Sequence, residues 1–180
     1  MLYMFLAEGF EEIEALATLD VIRRANIDIL SVGVGGNMIT GSHNISVKAD
    51  IKLDDISTTD LSGVILPGGL PGTTNLEGCE KVIEFVKYSN DKGLLVSAIC
   101  AAPSILGHLG ILNGKKATCY PGYEPELSGA DCDGSYVVAD GNIITGRGAG
   151  AAIDFGLKIV EYFKGAEFSN ELRKTMQCAR

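Results

Sequence analysis

Apolar positions along this chain fall into short continuous blocks, separated by stretches in which they recur every three or four residues. Residues 2–7, 27–34, 62–66 and 94–99 are blocks of the first kind. Too short for ordinary helices and bounded by turn formers, they predict strands buried on both faces of a parallel sheet. The second pattern predicts helices over residues 12–25 and 77–91, and a third helix of about four turns after Gly150. Asn26 and Gly165 can end the first and last of these. Val82, Phe85 and Val86 share one side of the middle helix, and Ile153, Leu157 and Val160 are expected to line the core side of the last. Residues 38–48 read as an excursion with strand-like pairs around Gly41, and residues 115–120 as a short strand. Residues 136–139 and 142–145, joined by Asp140-Gly141, read as a hairpin. Residues 169–180 are expected to add a further helix. Strands alternating with helices, with no internal repeat or linker, predict one domain over residues 1–180. Its fold class is α/β, a three-layer sandwich with a mostly parallel sheet.

Composition narrows the function classes. A chain of 180 residues that is 46% hydrophobic and 21% charged can bury a full-sized core. The net charge of -8 disfavours a nucleic-acid partner, because a phosphate backbone would be repelled by the average surface. The apolar start, residues 1–7, lacks a basic flank and a cleavage site, and Glu8 interrupts it. It reads as a first strand rather than a leader or a membrane span, with the cytoplasm as the expected compartment. Five cysteines with no CxxC pair support neither a zinc site nor a disulfide framework. No GxGxxG or Walker A pattern is present, so no nucleotide site is expected at the glycine loops.

Chemistry concentrates at Cys100. It follows the 94–99 strand and precedes Pro103, which suits the first turn of a helix. A residue held between a strand and a helix N-terminus resembles a nucleophile elbow, exposed and beside free N–H groups. The helix terminus is expected to lower the thiol pKa. Among three glutamates at the start of the first helix, the helical wheel separates Glu14. It lies between Val21 and Ala25 and near Ala17, whereas Glu12 points to the opposite side near Arg23. Glu14 is therefore expected to be buried, with a raised pKa, and able to hydrogen-bond a neighbouring thiolate. His108 lies two turns beyond Cys100, too far for a direct bond, and His43 sits in the excursion. A conventional Cys-His dyad is not expected. Gly68 and Gly69, at the end of a neighbouring strand, could offer N–H groups to an oxyanion.

Four stretches carry a resemblance: residues 7–14 (AEGFEEIE), 66–69 (LPGG), 98–103 (AICAAP) and 145–150 (TGRGAG). Together, and in this order, they resemble the ThiJ/PfpI superfamily, in particular its parkinsonism-associated DJ-one branch. The resemblance implies a flavodoxin-like sandwich with a glutamine amidotransferase-like fold, assembled as a homodimer. It makes Cys100 an easily oxidised nucleophile, Glu14 its protonated partner, and the N–H groups of Gly69 and Ala101 an oxyanion pocket. Members of the branch are described as glyoxalases that convert methylglyoxal to lactate without glutathione, as protein deglycases, and as oxidative-stress sensors or chaperones. Many members have a histidine where this chain has Tyr120, a hydrogen-bond donor but a poor base near neutral pH. Ala101 replaces the histidine of the PfpI-type proteases, which disfavours peptidase activity.

The resulting expectation is a cofactor-free, metal-free cysteine enzyme acting on a reactive dicarbonyl, a small aldehyde or a glycated protein. Cys100 and Glu14 are its catalytic pair, and Gly68, Gly69, Ala101 and Tyr120 surround the substrate. The alternative is a redox-sensing or chaperone-like protein whose Cys100 is oxidised to sulfinate without turnover.

Overall fold

Seven strands form one sheet in the computed structural model, which describes residues 1–178. They are β1 (Leu2–Leu6), β2 (Ile29–Gly33), β5 (Ile51–Lys52), β6 (Gly63–Leu66), β7 (Leu95–Ile99), β10 (Val137–Asp140) and β11 (Ile143–Gly146). Their order is β10-β11-β7-β6-β1-β2-β5, and every pairing is parallel except the β10–β11 hairpin at one edge. The strands beside the centre are buried along their whole length because helices cover both faces. Side chains alternate accordingly: Phe5, Val64 and Val96 face one layer, and Met4, Ile65 and Leu95 the other.

The first layer holds α2 (Gly72–Glu77), α3 (Glu80–Asp91) and α4 (Pro103–His108). Val82, Phe85 and Val86 of α3 enter its core, as their spacing predicts. The second layer pairs α1 (Glu12–Arg24) with α5 (Ala152–Lys164), and α6 (Ala166–Thr175) packs outside α5. A small cluster of Val21, Ala25, Leu157 and Val160 joins α1 to α5, with Leu172 and Met176 against it. Residues 38–48 form an antiparallel hairpin, β3 (Met38–Thr40) with β4 (Ser46–Lys48). No described helix is long and apolar enough to cross a membrane.

Several boundaries differ from the sequence expectation. The single helix over residues 77–91 is two, α2 and α3, because Gly78 and Cys79 break the run and the first helix begins at Gly72. The strand expected over 115–120 shrinks to β8 (Lys116–Ala117). It pairs with β9 (Asp131–Cys132) outside the main sheet. Ile153 is exposed at 42%, whereas Leu157 and Val160 are buried as expected, together with Phe155, Gly156 and Ile159. The edge strand β5 carries too few apolar residues to stand out in the pattern. The last helix begins at Ala166 rather than Ser169, and residues 179 and 180 of the expected span lie outside the described residues.

Gly156 shows how tightly the second layer is packed. A Cβ there would sit 2.9 Å from Val21 Cβ and 3.4 Å from Thr18 Cα, so α1 and α5 approach across a position that takes no branched side chain. Gly156→Val is expected to destabilise the protein by about 1–3 kcal/mol through overpacking, seen as a lower urea midpoint with an unchanged slope.

Candidate active site

The carboxyl end of β7 meets the amino end of α4 at Cys100, whose φ of 65° lies in the left-handed region that a non-glycine residue seldom adopts. The conformation is held from both sides. The Cys100 N–H donates to the Gly146 carbonyl at 2.9 Å, and the Cys100 carbonyl accepts from the Tyr120 N–H at 2.8 Å. Ala101 and Ala102 complete the turn, Ser104 Oγ donates to the Ala101 carbonyl at 2.7 Å, and Pro103 opens the helix. The elbow expected from the sequence is present, and Cys100 is only partly buried in it.

Glu14 reaches this turn from α1. Glu11 caps the helix by accepting the Glu14 N–H at 2.7 Å, and Glu14, a few residues in, is 1% exposed. Its Oε2 accepts the Gly68 N–H at 2.8 Å, and the neighbouring Cys100 side chain favours its charged form. Among the described residues Oε1 has no hydrogen-bond partner. Gly68 must be glycine here: a Cβ would lie 2.7 Å from both Cys100 Cβ and Glu14 Oε2. Its N–H is committed to the carboxylate rather than to an oxyanion. Gly69 (φ 90°) and Ala101 turn their N–H groups toward the thiol instead.

Electrostatics revises one expectation. Burial raises the Glu14 carboxyl to about 7, outweighing Cys100 and the Gly68 N–H, which favour its charge, and nearby Glu11 adds to the rise. Cys100 is not lowered by its helix terminus. Burial and the adjacent Glu14 carboxylate push the thiol up to about 12, against the pull of the Ala101 and Gly69 N–H groups. The helix concerned has only six residues, so little dipole stands behind that terminus. The two groups titrate as a pair. Near neutral pH a neutral thiol faces a carboxyl poised between its charged and neutral forms.

A cavity of about 220 Å³ opens over the thiol, lined by Gly69, Leu70, Cys100, Ala101, Tyr120 and Tyr123. Leu70 and Tyr120 are exposed at its rim. All the residues expected at the site, Cys100, Glu14, Gly68, Gly69, Ala101 and Tyr120, therefore converge. His108 does not join them; it is held between Glu77 and Glu126. The sequence reading missed Glu12. Although it points away from Glu14, it is 4% exposed, covered by the β3–β4 hairpin. It accepts from the N–H groups of His43 (2.7 Å) and Ile45 (3.3 Å) and from Ser42 Oγ (3.3 Å), and lies 2.9 Å from His43 Nδ1. Burial alone would raise its carboxyl, but these bonds, led by the His43 side chain, lower it to about 2. Its stabilising contribution is thus present above its ordinary pKa of 4.5 and lost as the pH falls through about 2. Ligand atoms of Glu11, Glu12 and His43 lie within 4.8 Å of one another, yet the donors on Glu12 make this a latch for the hairpin.

Glu14 gives the opposite sign. Its folded pKa lies above the ordinary 4.5, at about 7, so the folded state holds the proton more tightly. The associated stability is complete below pH 4.5 and is lost as the pH rises through about 7. The expected loss is on the order of 3 kcal/mol. Urea midpoints measured at pH 5 and pH 8 are expected to differ less in Glu14→Gln than in the parent protein.

The family model described as the DJ-1/PfpI family matches residues 1–162. Protein dj-1beta of Drosophila melanogaster is 36% identical over 179 residues, covering 98% of this chain and 96% of that protein. Its crystal structure superposes with a TM-score of 0.93 at 35% identity, covering 99% of this chain and 98% of that one. The glutathione-independent glyoxalase DJR-1.2 of Caenorhabditis elegans is 32% identical over 179 residues, 96% of this chain and 93% of that protein. An oxidized Toxoplasma gondii DJ-1 superposes with a TM-score of 0.94 at 26% identity, covering 99% of this chain and 98% of that one. A match over nearly the whole length, with a thiol-bearing elbow and a buried glutamate in place, makes this chain a member of the DJ-1/PfpI family.

Proposed function

We propose that the protein is a glutathione-independent glyoxalase-type enzyme that uses Cys100 as nucleophile and Glu14 as proton shuttle on small dicarbonyls. The observation that carries this reading is the buried carboxyl of Glu14, set beside Cys100 and poised at about 7 next to an open cavity. A general base works best when its pKa lies near the operating pH. The ionised fraction of Glu14 takes the thiol proton as Sγ attacks the aldehyde carbon of methylglyoxal. The carbonyl electron pair moves to oxygen, and the oxyanion meets the N–H groups of Gly69 and Ala101. Glu14 hands that proton to the oxyanion. As carboxylate again, it moves a proton from the former aldehyde carbon to the neighbouring carbon while the hydroxyl proton passes from the first oxygen to the second, which turns the hemithioacetal into a thioester of lactate. Water hydrolyses the thioester and restores the thiol. Tyr120 stands at the rim, where its hydroxyl can orient the substrate without acting as base.

A second reading is supported by the partial exposure of Cys100 at the cavity floor. Peroxide could oxidise it to a sulfinate, whose oxygens would meet the same N–H groups. A homodimer is also part of the proposal. Ile13 near the start of α1 is 57% exposed and Ile153 at the start of α5 is 42% exposed. These two helices pack side by side, and an exposed isoleucine on each supports a contact with a second copy.

Methylglyoxal consumption and lactate formation, followed without glutathione, test the enzyme. Cys100→Ala is expected to abolish turnover, and Glu14→Gln to lower kcat by about 10²-fold or more. Parent-like rates in either variant would overturn the assignment. If the parent protein shows no turnover while mild peroxide adds two oxygens selectively to Cys100 by mass spectrometry, the sensor reading replaces it.

A further inference from the structure

A second cavity, of about 270 Å³, adjoins the thiol cavity and shares Tyr120 with it. Its other walls are Pro121, Tyr136, Arg147 and residues 148–151. Arg147 is tied to the reacting centre through the backbone. It leaves the sheet directly after Gly146, the residue whose carbonyl accepts the Cys100 N–H at 2.9 Å. Tyr120 is tied there too, through its N–H on the Cys100 carbonyl, and its ring lies against Gly148, where a Cβ would be 3.4 Å from Cδ2. The arginine and the tyrosine therefore flank the elbow from two separate segments.

The charge of Arg147 is unanswered within the chain. Among the described residues no carboxylate forms an ion pair with it; its only side-chain bond runs from Nη1 to the Gly134 carbonyl at 3.2 Å. The acidic neighbour on that loop, Asp133, is turned to the Ser135 N–H at 2.9 Å. In a chain of net charge -8, a partly buried arginine left without a carboxylate inside a cavity is a directed cation. Two exposed tyrosine side chains, Tyr120 and Tyr136, add hydroxyl donors around the same space. Helix α5 begins just behind it with no side-chain cap, and Asp154 in its first turn is paired with Arg173 instead.

We infer that this cavity is an anion subsite, so that the preferred substrate carries a carboxylate or phosphate a few bonds from the carbonyl that Cys100 attacks. The inference rests on the catalytic reading above and specifies its substrate class. Guanidinium pairs with either oxyanion through two parallel N–H bonds, and the tyrosine hydroxyls complete its hydration shell. The thiol cavity alone takes the reactive carbonyl end, and Tyr120 separates it from the charged end.

Hydroxypyruvaldehyde and its phosphate ester are matched dicarbonyls that differ in that charge. The parent protein is expected to show a KM about tenfold lower for the ester, the size of one charge-assisted contact. In Arg147→Gln the ratio of the two KM values is expected to approach one, with Arg147→Lys between. Equal KM values in the parent protein, or a ratio unchanged in Arg147→Gln, would overturn the subsite. Phosphoglycolate, which has no aldehyde, gives a readout independent of turnover. Its titration is expected to shift the backbone amide resonances of residues 147–150 in the parent protein and to need at least about fivefold more ligand in Arg147→Gln. Absence of those shifts in the parent overturns the subsite even if methylglyoxal is consumed. Shifts without any dicarbonyl turnover uphold the subsite and overturn the catalytic reading alone.

Discussion

A carboxyl group buried against a thiol is the interaction on which this site turns. Glu14 is 1% exposed, and an isolated carboxylate at such a position would be strongly disfavoured. Two contacts make the position tolerable: the Gly68 N–H and the Cys100 side chain. Their incomplete compensation leaves the pKa at about 7. A fully satisfied carboxylate would be locked in its charged form, and one with no donors would be locked neutral. The intermediate value allows the group to accept and return a proton near neutral pH.

The scaffold converges on that pair from four segments: the ends of β6, β7 and β11, and the start of α1. Parallel strands with helices on both faces bring their carboxyl ends to one rim, and there the register places Gly146 beside Ile99 and Leu66 beside Ala98. Close approach then excludes side chains. Gly68 sits against both Cys100 and Glu14, and Gly69 adopts a φ of 90° over the backbone of residues 9–11. The strained φ of Cys100 is fixed by bonds on both of its peptide groups. The left-handed turn sets the thiol apart from the hydrogen-bond ladder of β7 and opens it to the cavity.

Much of the architecture was legible in the chain. Apolar blocks mark the central strands, Gly141 marks the hairpin, whose loop is Gly141-Asn142 rather than Asp140-Gly141, and Gly165 ends α5 with a φ of 86°. Local pattern failed where two helices share one apolar periodicity, as at Gly78, and where a strand is too short to carry a pattern, as at β5 and β8. It also misassigned Ile153, because periodicity identifies an apolar face but not whether a neighbour covers it.

The division is physical. The sequence by itself determined that Cys100 stands between a strand and a proline-opened helix, and that Glu14 shares the apolar side of α1. Both follow from backbone preferences within a few residues. Only the tertiary structure decided what surrounds them. The donor to Glu14 lies 54 residues away, the lid on Glu12 lies about 31 residues away, and the carbonyl that fixes Cys100 belongs to Gly146. Burial, pKa and the place of Arg147 all depend on such distant approaches. The thiol was therefore expected to be lowered by its helix terminus, and is instead raised by burial and by the carboxylate that the fold brings to it.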